Sequence, residues 1–180
     1  MAIIRKKVKR ASIDPQAVFG ERTGASDVIA IAEKNGLATA PFDVKGVVRA
    51  LDIRLSTKPL DDDVSGYLKK TESGWLIAVN SLHHPRRQKF TLAHELGHYF
   101  LHRHNHNKFM DKTLFRNGQT SSLEIEANAF ASELLMPEDA LKQYVNNVSK
   151  KVEDIAEYFG VSAVAVRYRA QKLGFRGHGL

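Results

Sequence analysis

The chain has 180 residues, of which 43% are apolar, and a formal charge of +7. A chain of this length can bury a hydrophobic core as one domain. No apolar run is long enough to span a membrane. The lack of cysteine excludes disulfides and thiolate metal sites. The positive charge favours an acidic partner or nucleic acid without choosing between them.

The N-terminus is strongly basic. Lysine and arginine fill half of the first ten positions, and no apolar secretory segment follows them. Runs of like charge are typical of solvated or disordered arms. We therefore predict a basic, mobile arm over residues 1–24 and a cytoplasmic protein.

Two short helices are predicted next. Ser26 and Asp27 can cap a helix over residues 28–32, which Asn35-Gly36 would end. Residues 41–51 begin with proline and carry apolar residues at helical spacing, so they predict a second helix.

A small sheet is predicted after these helices. Residues 53–55 form a short strand, and residues 66–70 and 74–80 flank a turn region, which is typical of a β-hairpin. An extended peptide could add to an exposed edge of this sheet through main-chain hydrogen bonds. The alternative is that the hairpin only covers the core.

The next segment carries the main chemical signal, His-Glu-x-x-His at His94, Glu95 and His98. Residues four apart on a helix lie on one face, about 6 Å apart along the axis, so both histidines can bind a single ion. Glu95 lies beside that face, where it can reach a metal-bound water without binding the metal, as in zinc peptidases. The rest of the helix is largely apolar, and burying three ionisable groups is costly unless a divalent cation compensates. A surface helix with solvated histidines is the alternative.

Two further histidines are poor candidates for a third ligand. His104 has the spacing of a three-histidine zinc site, but Leu101 stands where that site needs glycine, so a continuing helix would carry His104 away. His102 shares the face of the motif but lies about 12 Å along the axis from His94, too far for one ion.

A glutamate on the next predicted helix, residues 123–136, is the better candidate. On a helical wheel Glu124 falls inside the apolar arc, whereas Glu126 and Glu133 fall at its margin. Because a carboxylate that points into a core needs a partner, we predict Glu124 as the third ligand. Asn128, one turn later, could orient Glu124 as an outer partner.

The C-terminal segment has the spacing of a helix-turn-helix. Over residues 152–174, Gly160 stands at the turn and Ser162 can cap the second helix. The second helix would carry three basic residues, Arg167, Arg169 and Lys172. They favour either DNA recognition or, as we prefer, docking of a folded protein substrate.

The motif segment and the later glutamate segment also carry a family resemblance. Residues 87–102, with Thr-Leu-Ala-His-Glu-Leu-Gly-His, and residues 124–137, with Glu-Ile-Glu-Ala-Asn-Ala-Phe-Ala, resemble the ImmA/IrrE family of bacterial and phage metallopeptidases. The resemblance is specific over about residues 64–137.

The resemblance implies a site and a substrate. His94, His98 and Glu124 would hold one zinc ion per chain, and Glu95 would be the general base. The substrate would be a helix-turn-helix repressor, often encoded nearby, whose limited proteolysis relieves repression of a mobile element or stress response.

Together these inferences predict an α+β fold. We expect a mainly helical single domain with a small antiparallel sheet beside the His-Glu-x-x-His helix, zincin-like in arrangement. Residues 25–145 would form the metallopeptidase core, with a C-terminal helical pair at 146–180 packed on it. The predicted function is that of a zinc-dependent endopeptidase acting on a repressor. A sequence-specific DNA-binding regulator is the alternative.

Overall fold

The structure, a computed structural model, describes residues 23–104, 106, 108–112 and 121–175, so the predicted N-terminal arm lies almost entirely outside the described residues. Within them, no helix is long and apolar enough to cross a membrane. The described chain forms seven helices and four strands, in the order α1 (Ala25–Lys34), α2 (Val44–Ala50), β1 (Arg54–Lys58), β2 (Val64–Thr71), β3 (Gly74–Asn80), α3 (Pro85–His102), β4 (Lys108–Lys112), α4 (Ser122–Leu135), α5 (Glu138–Asn147), α6 (Val152–Phe159) and α7 (Ala163–Lys172).

The first two helices begin close to where the sequence predicts them. Asp27 lies inside α1, and its Oδ2 accepts a hydrogen bond from Gly24 N at 2.9 Å, so the helix begins slightly earlier than predicted. In α2, Asp43 is the N-cap and its side chain accepts from Gly46 N at 2.8 Å. Pro41 therefore precedes this helix, because the capping aspartate defines its first turn.

The sheet has the strand order β1-β3-β2-β4. The predicted β2–β3 hairpin is confirmed as an antiparallel pair, and β4 pairs antiparallel with β2. The sheet is mixed rather than purely antiparallel, because β3 pairs between β1 and β2 and runs parallel to β1. Buried Asn80 stabilises this arrangement, since its amide donates to Val64 O at 2.9 Å and holds the connection that leads into β2.

Helix α3 lies against the sheet. Pro85 occupies its first turn, and His84 Nδ1 accepts from Arg86 N at 3.2 Å. All residues from Thr91 to Phe100 are buried. A Cβ at Gly66 of β2 would lie only 2.6 Å from Thr91 Cγ2, so glycine allows this strand to approach α3 closely.

Helix α4 packs on another face of α3. Ser121 caps it, its hydroxyl accepting from Glu124 N at 3.3 Å. A Cβ at Gly97 of α3 would lie 3.1 Å from both Cα and O of Ala127, so the two helix backbones are close at this point. This close approach determines which α4 side chains face the motif.

The predicted helix-turn-helix pair corresponds to α6 and α7. Gly160 ends α6 in the left-handed region, with φ of 65°, which glycine adopts without strain. Ser162 caps α7, its hydroxyl accepting from Ala165 N at 3.1 Å.

Polar contacts attach this pair to the rest of the chain. Lys89 Nζ on α3 donates to Phe159 O at 2.8 Å, and Arg169 Nε on α7 donates to Met136 O at 3.1 Å. The predicted fold class is confirmed: the described chain is α+β and mostly helical, with a small sheet beside the motif helix.

Candidate metal centre

The two motif histidines are buried and point towards the same location. His94 is 1% exposed and His98 is 0% exposed. Their Nε2 atoms lie 3.1 Å apart, and the rings meet edge to face. The helical spacing therefore brings two ring nitrogens together, as the sequence predicts.

Glu124 lies beside both rings. Its Oε2 is 3.1 Å from His94 Nε2, and its Oε1 is 3.3 Å from His98 Nε2. The close approach of Gly97 to Ala127 brings α4 near enough to α3 for this contact. The structure thus brings together the three side chains predicted as ligands, which also form a cluster with the spacing of a metal site.

The pKa shifts in the cluster indicate a carboxylate beside a neutral imidazole. Burial raises the pKa of Glu124, but hydrogen bonds to His94 and His98, together with the positive charge that either ring carries when it is protonated, outweigh burial and lower the pKa to about 2. Burial lowers the pKa of His98; the hydrogen bond to Glu124 opposes this shift without reversing it. Ionised carboxylate and neutral imidazole are the forms in which these side chains bind metal ions.

The donor set of the cluster suits a divalent metal ion such as zinc. Zinc bonds of about 2.0–2.1 Å to nitrogen and oxygen require ligand atoms roughly 3.3 Å apart in a tetrahedron. The two histidine nitrogens lie 3.1 Å apart, and the carboxylate of Glu124 spans them, with Oε2 3.1 Å from His94 Nε2 and Oε1 3.3 Å from His98 Nε2, so each neighbouring pair of donors lies near that separation. Two imidazoles and one carboxylate are also a ligand set found in catalytic zinc sites, which keep a fourth position for water.

Glu95 is fully buried beside the cluster, on the side that faces the sheet. A Cβ at Gly66 would lie 3.4 Å from Glu95 Oε1, so the carboxylate faces β2 at this glycine. Glycine at this position leaves space next to the carboxylate.

Asn128 contacts a different member of the cluster from the one predicted. Its Oδ1 lies 3.0 Å from His94 Nδ1, whereas the sequence suggested that it orients Glu124. The crossing of α3 and α4 turns this face of α4 towards the ring of His94, which sequence spacing within α4 cannot reveal.

Three residues around His98 were missed as site residues. His102 Nδ1 lies 3.0 Å from His98 Nδ1, and His102 Nε2 lies 3.5 Å from Glu126 Oε2. Phe109 of β4 stacks on the ring of His98, with centroids 4.5 Å apart. The helical spacing of His98 and His102 was a usable signal, but β4 itself was not predicted.

The other predicted residues lie elsewhere. His104 is exposed and is not part of the cluster. Arg167 and Lys172 are exposed on α7. Arg169 differs from them, because it donates to the core through Met136 O, and burial lowers its pKa.

Known proteins are similar in sequence to this chain over the segment that contains the cluster. A peptidase family model, described as the IrrE N-terminal-like domain, matches residues 48–171 and so includes the whole cluster. The chain belongs to this ImmA/IrrE family. The predicted resemblance is therefore confirmed.

Two relatives are similar to this ImmA/IrrE family member. It is 36% identical over 105 residues to an uncharacterized immunity region protein 2 of Bacillus phage phi105, covering 58% of this chain and 64% of that protein. It is 36% identical over 110 residues to the metallopeptidase ImmA of Bacillus subtilis (strain 168), covering 58% of this chain and 60% of that protein. The chain thus spans less than two thirds of either relative.

Proposed function

We propose that the chain is a zinc-dependent endopeptidase in which His94, His98 and Glu124 hold the metal. The observation that carries this proposal is that the carboxylate of Glu124 lies 3.1 and 3.3 Å from two histidine nitrogens that are themselves 3.1 Å apart, on the helix that carries fully buried Glu95. Family membership supports peptide-bond hydrolysis over other reactions at the same kind of site.

The side chains have distinct roles in this proposal. Zinc, when bound, would lower the pKa of a water molecule and polarise the scissile carbonyl. Glu95 takes a proton from the attacking water and passes it to the leaving amine nitrogen as the carbon–nitrogen bond breaks. Its burial between α3 and β2 keeps bulk water away from this carboxylate.

The β4 edge is the best place for an extended substrate. In the described part of the chain, β4 pairs with β2 on one side and has no strand on the other. Phe109 of β4 stacks on His98, so this edge borders the donor cluster. A peptide could add to β4 through main-chain hydrogen bonds. The predicted hairpin strands, β2 and β3, each pair with a strand on both sides, so neither has a free edge. We therefore assign the binding of an extended peptide to β4.

The substrate we propose is a helix-turn-helix repressor, whose cleavage would relieve repression. Support comes from the family resemblance and from similarity to a phage immunity-region protein. The division into a core at 25–145 and a helical pair at 146–180 belongs to the same proposal. The Lys89 and Arg169 contacts support the packing of the pair on the core.

Incubation with candidate repressors encoded near the gene tests this function. Wild type should cleave one of them, and Glu95→Gln should bind zinc normally but lose about 10²- to 10⁴-fold in rate, because the amide cannot accept the proton. Glu72→Gln, an exposed glutamate in the β2–β3 turn, is the matched control and should cleave normally. Equal rates for wild type and Glu95→Gln would contradict the proposal.

A sequence-specific DNA-binding regulator is the second candidate. The capped α6–α7 pair favours it, because α7 exposes Val164, Arg167 and Gln171 along one face. Arg169 weakens it, since its guanidinium binds the core. Tight binding of one DNA sequence, with the salt dependence of phosphate contacts and no proteolysis, would favour this candidate.

A further inference from the structure

The two motif histidines have different partners at their second ring nitrogens. His94 Nδ1 lies beside an amide oxygen, Asn128 Oδ1, at 3.0 Å. His98 Nδ1 lies beside another ring nitrogen, His102 Nδ1, also at 3.0 Å. His102 Nε2 in turn lies 3.5 Å from Glu126 Oε2. A line of contacts therefore leads from His98 through His102 to a glutamate whose side chain is 39% exposed.

Only one arrangement of protons suits this line of contacts when His98 binds a metal through Nε2. A neutral imidazole carries one N–H, so His98 then carries its proton on Nδ1 and donates it. The acceptor 3.0 Å away, His102 Nδ1, must be unprotonated. The proton of His102 is then on Nε2, the nitrogen that faces the Glu126 carboxylate.

The surroundings hold His102 in this orientation. It lies one helical turn after His98 on α3 and is 4% exposed. Its ring packs against Phe109, with centroids 5.9 Å apart, and Phe109 also stacks on His98. His102 therefore has little freedom to turn Nδ1 away from His98.

We propose that His102, supported by Glu126, is a positioning residue that fixes the tautomer and ring orientation of His98 for metal binding. Partners at the outer nitrogen of a metal-binding histidine typically change metal affinity by about 10–100-fold. This inference rests on the proposed metal site. His102 is not a metal ligand in it, because His102 acts on the metal only through the ring of His98.

Two substitutions separate hydrogen bonding from packing at this position. His102→Phe keeps a ring beside Phe109 but removes the acceptor, and His102→Asn retains an acceptor oxygen close to the position of Nδ1. Zinc dissociation constants, measured by competition with a chelator, should rise by about 10–100-fold in His102→Phe and stay near the wild-type value in His102→Asn. His104→Phe, which changes an exposed histidine beyond α3, is the matched control and should bind as wild type.

The spectrum of the cobalt-substituted protein gives a second measurement. His102→Phe should alter the visible bands of bound Co²⁺, because the ring of His98 is no longer held, whereas His102→Asn should preserve them. Equal zinc affinity in wild type and His102→Phe would overturn the proposal. Equal losses in the phenylalanine and asparagine variants would overturn it as well, because packing alone would explain them.

Nitrogen NMR of zinc-loaded wild type tests the proposal without a substitution, in case His102→Phe fails to fold. His98 should be protonated at Nδ1 and His102 at Nε2; a proton on His102 Nδ1 would overturn the inference. If wild type binds no zinc, the proposed metal site fails together with the inference. Normal zinc binding with the opposite tautomer of His102 leaves the metal site intact and removes only the positioning role.

Discussion

Two helix pairs in the described part of the chain have opposite distributions of polar side chains. In the α3–α4 pair, His94, Glu95 and His98 are almost completely buried between the packed elements. In the α6–α7 pair, Arg167 and Lys172 are exposed to solvent.

This difference explains why one pair indicates a function more strongly than the other. Buried ionisable groups need compensating partners, so a cluster of two buried imidazoles and a partly buried carboxylate favours a bound cation. Exposed basic side chains are satisfied by water, and their presence is compatible with a substrate, DNA or no partner at all.

Removal of a donor from the α3–α4 pair should have the largest effect. His98→Ala or Glu124→Ala should weaken zinc binding by more than the roughly 100-fold typical of an outer contact, because a direct ligand is lost. Titration with elemental analysis measures this. At free zinc 100 times the dissociation constant, wild type should also lose about 2.7 kcal/mol of stability when a chelator removes the metal.

Glu133→Ala is the matched control for Glu124→Ala, because Glu133 lies on the same helix outside the donor cluster. It should bind zinc normally. Loss of zinc from Glu133→Ala but not from Glu124→Ala would show that the ligand assignment is wrong.

Enlarging the contact between α3 and α4 should disturb the same site indirectly. Gly97→Ala places a methyl group 3.1 Å from the Ala127 backbone, so α4 must shift. Overpacking of this kind typically costs about 1–3 kcal/mol, and it should also weaken zinc binding because Glu124 moves with α4. Thermal unfolding and zinc titration measure the two effects.

Ala129→Leu enlarges an exposed residue of α4 and serves as the control for Gly97→Ala. Its stability should stay within about 0.5 kcal/mol of wild type. A Gly97→Ala protein with unchanged zinc affinity would mean that the close approach does not control the position of Glu124.

The exposed face of α7 offers a test of substrate docking. Double substitution of Arg167 and Lys172 by glutamate should slow cleavage of the intact repressor that we propose as the substrate by about tenfold or more at low salt, because attraction to an acidic partner is reversed. A short peptide that spans the cleavage site should be cleaved at the wild-type rate. Equal slowing on both substrates, or on neither, would contradict docking at α7.

Arg169 is left out of that double substitution, because it should behave as a structural residue. Arg169→Met removes the hydrogen bond to Met136 O and should destabilise the fold by about 1–3 kcal/mol without changing zinc affinity. Arg167→Met, with an exposed side chain, is the control and should be nearly neutral. If Arg169→Met slows repressor cleavage without changing the unfolding temperature, Arg169 belongs to the docking surface after all.

Local sequence patterns were sufficient to predict much of the fold. The His-Glu-x-x-His spacing, the hairpin and the capped C-terminal helices all depend on residues close together in the chain. Helical and strand periods determine which side chains share a face, so the pairing of His94 with His98, and the place of Glu124 among the apolar residues of its own helix, could be inferred without tertiary structure.

Contacts between distant elements were decided only by the tertiary structure. The parallel β1–β3 pairing, the β4 strand and the stacking of Phe109 on His98 depend on where elements meet in space. The same is true of Asn128, which contacts His94 because of the close approach of two helices, and of partly buried Arg169, which donates a hydrogen bond to Met136 O. A local pattern places a residue on one face of its element, but it cannot specify what packs against that face, because that choice depends on the burial and shape of the whole chain.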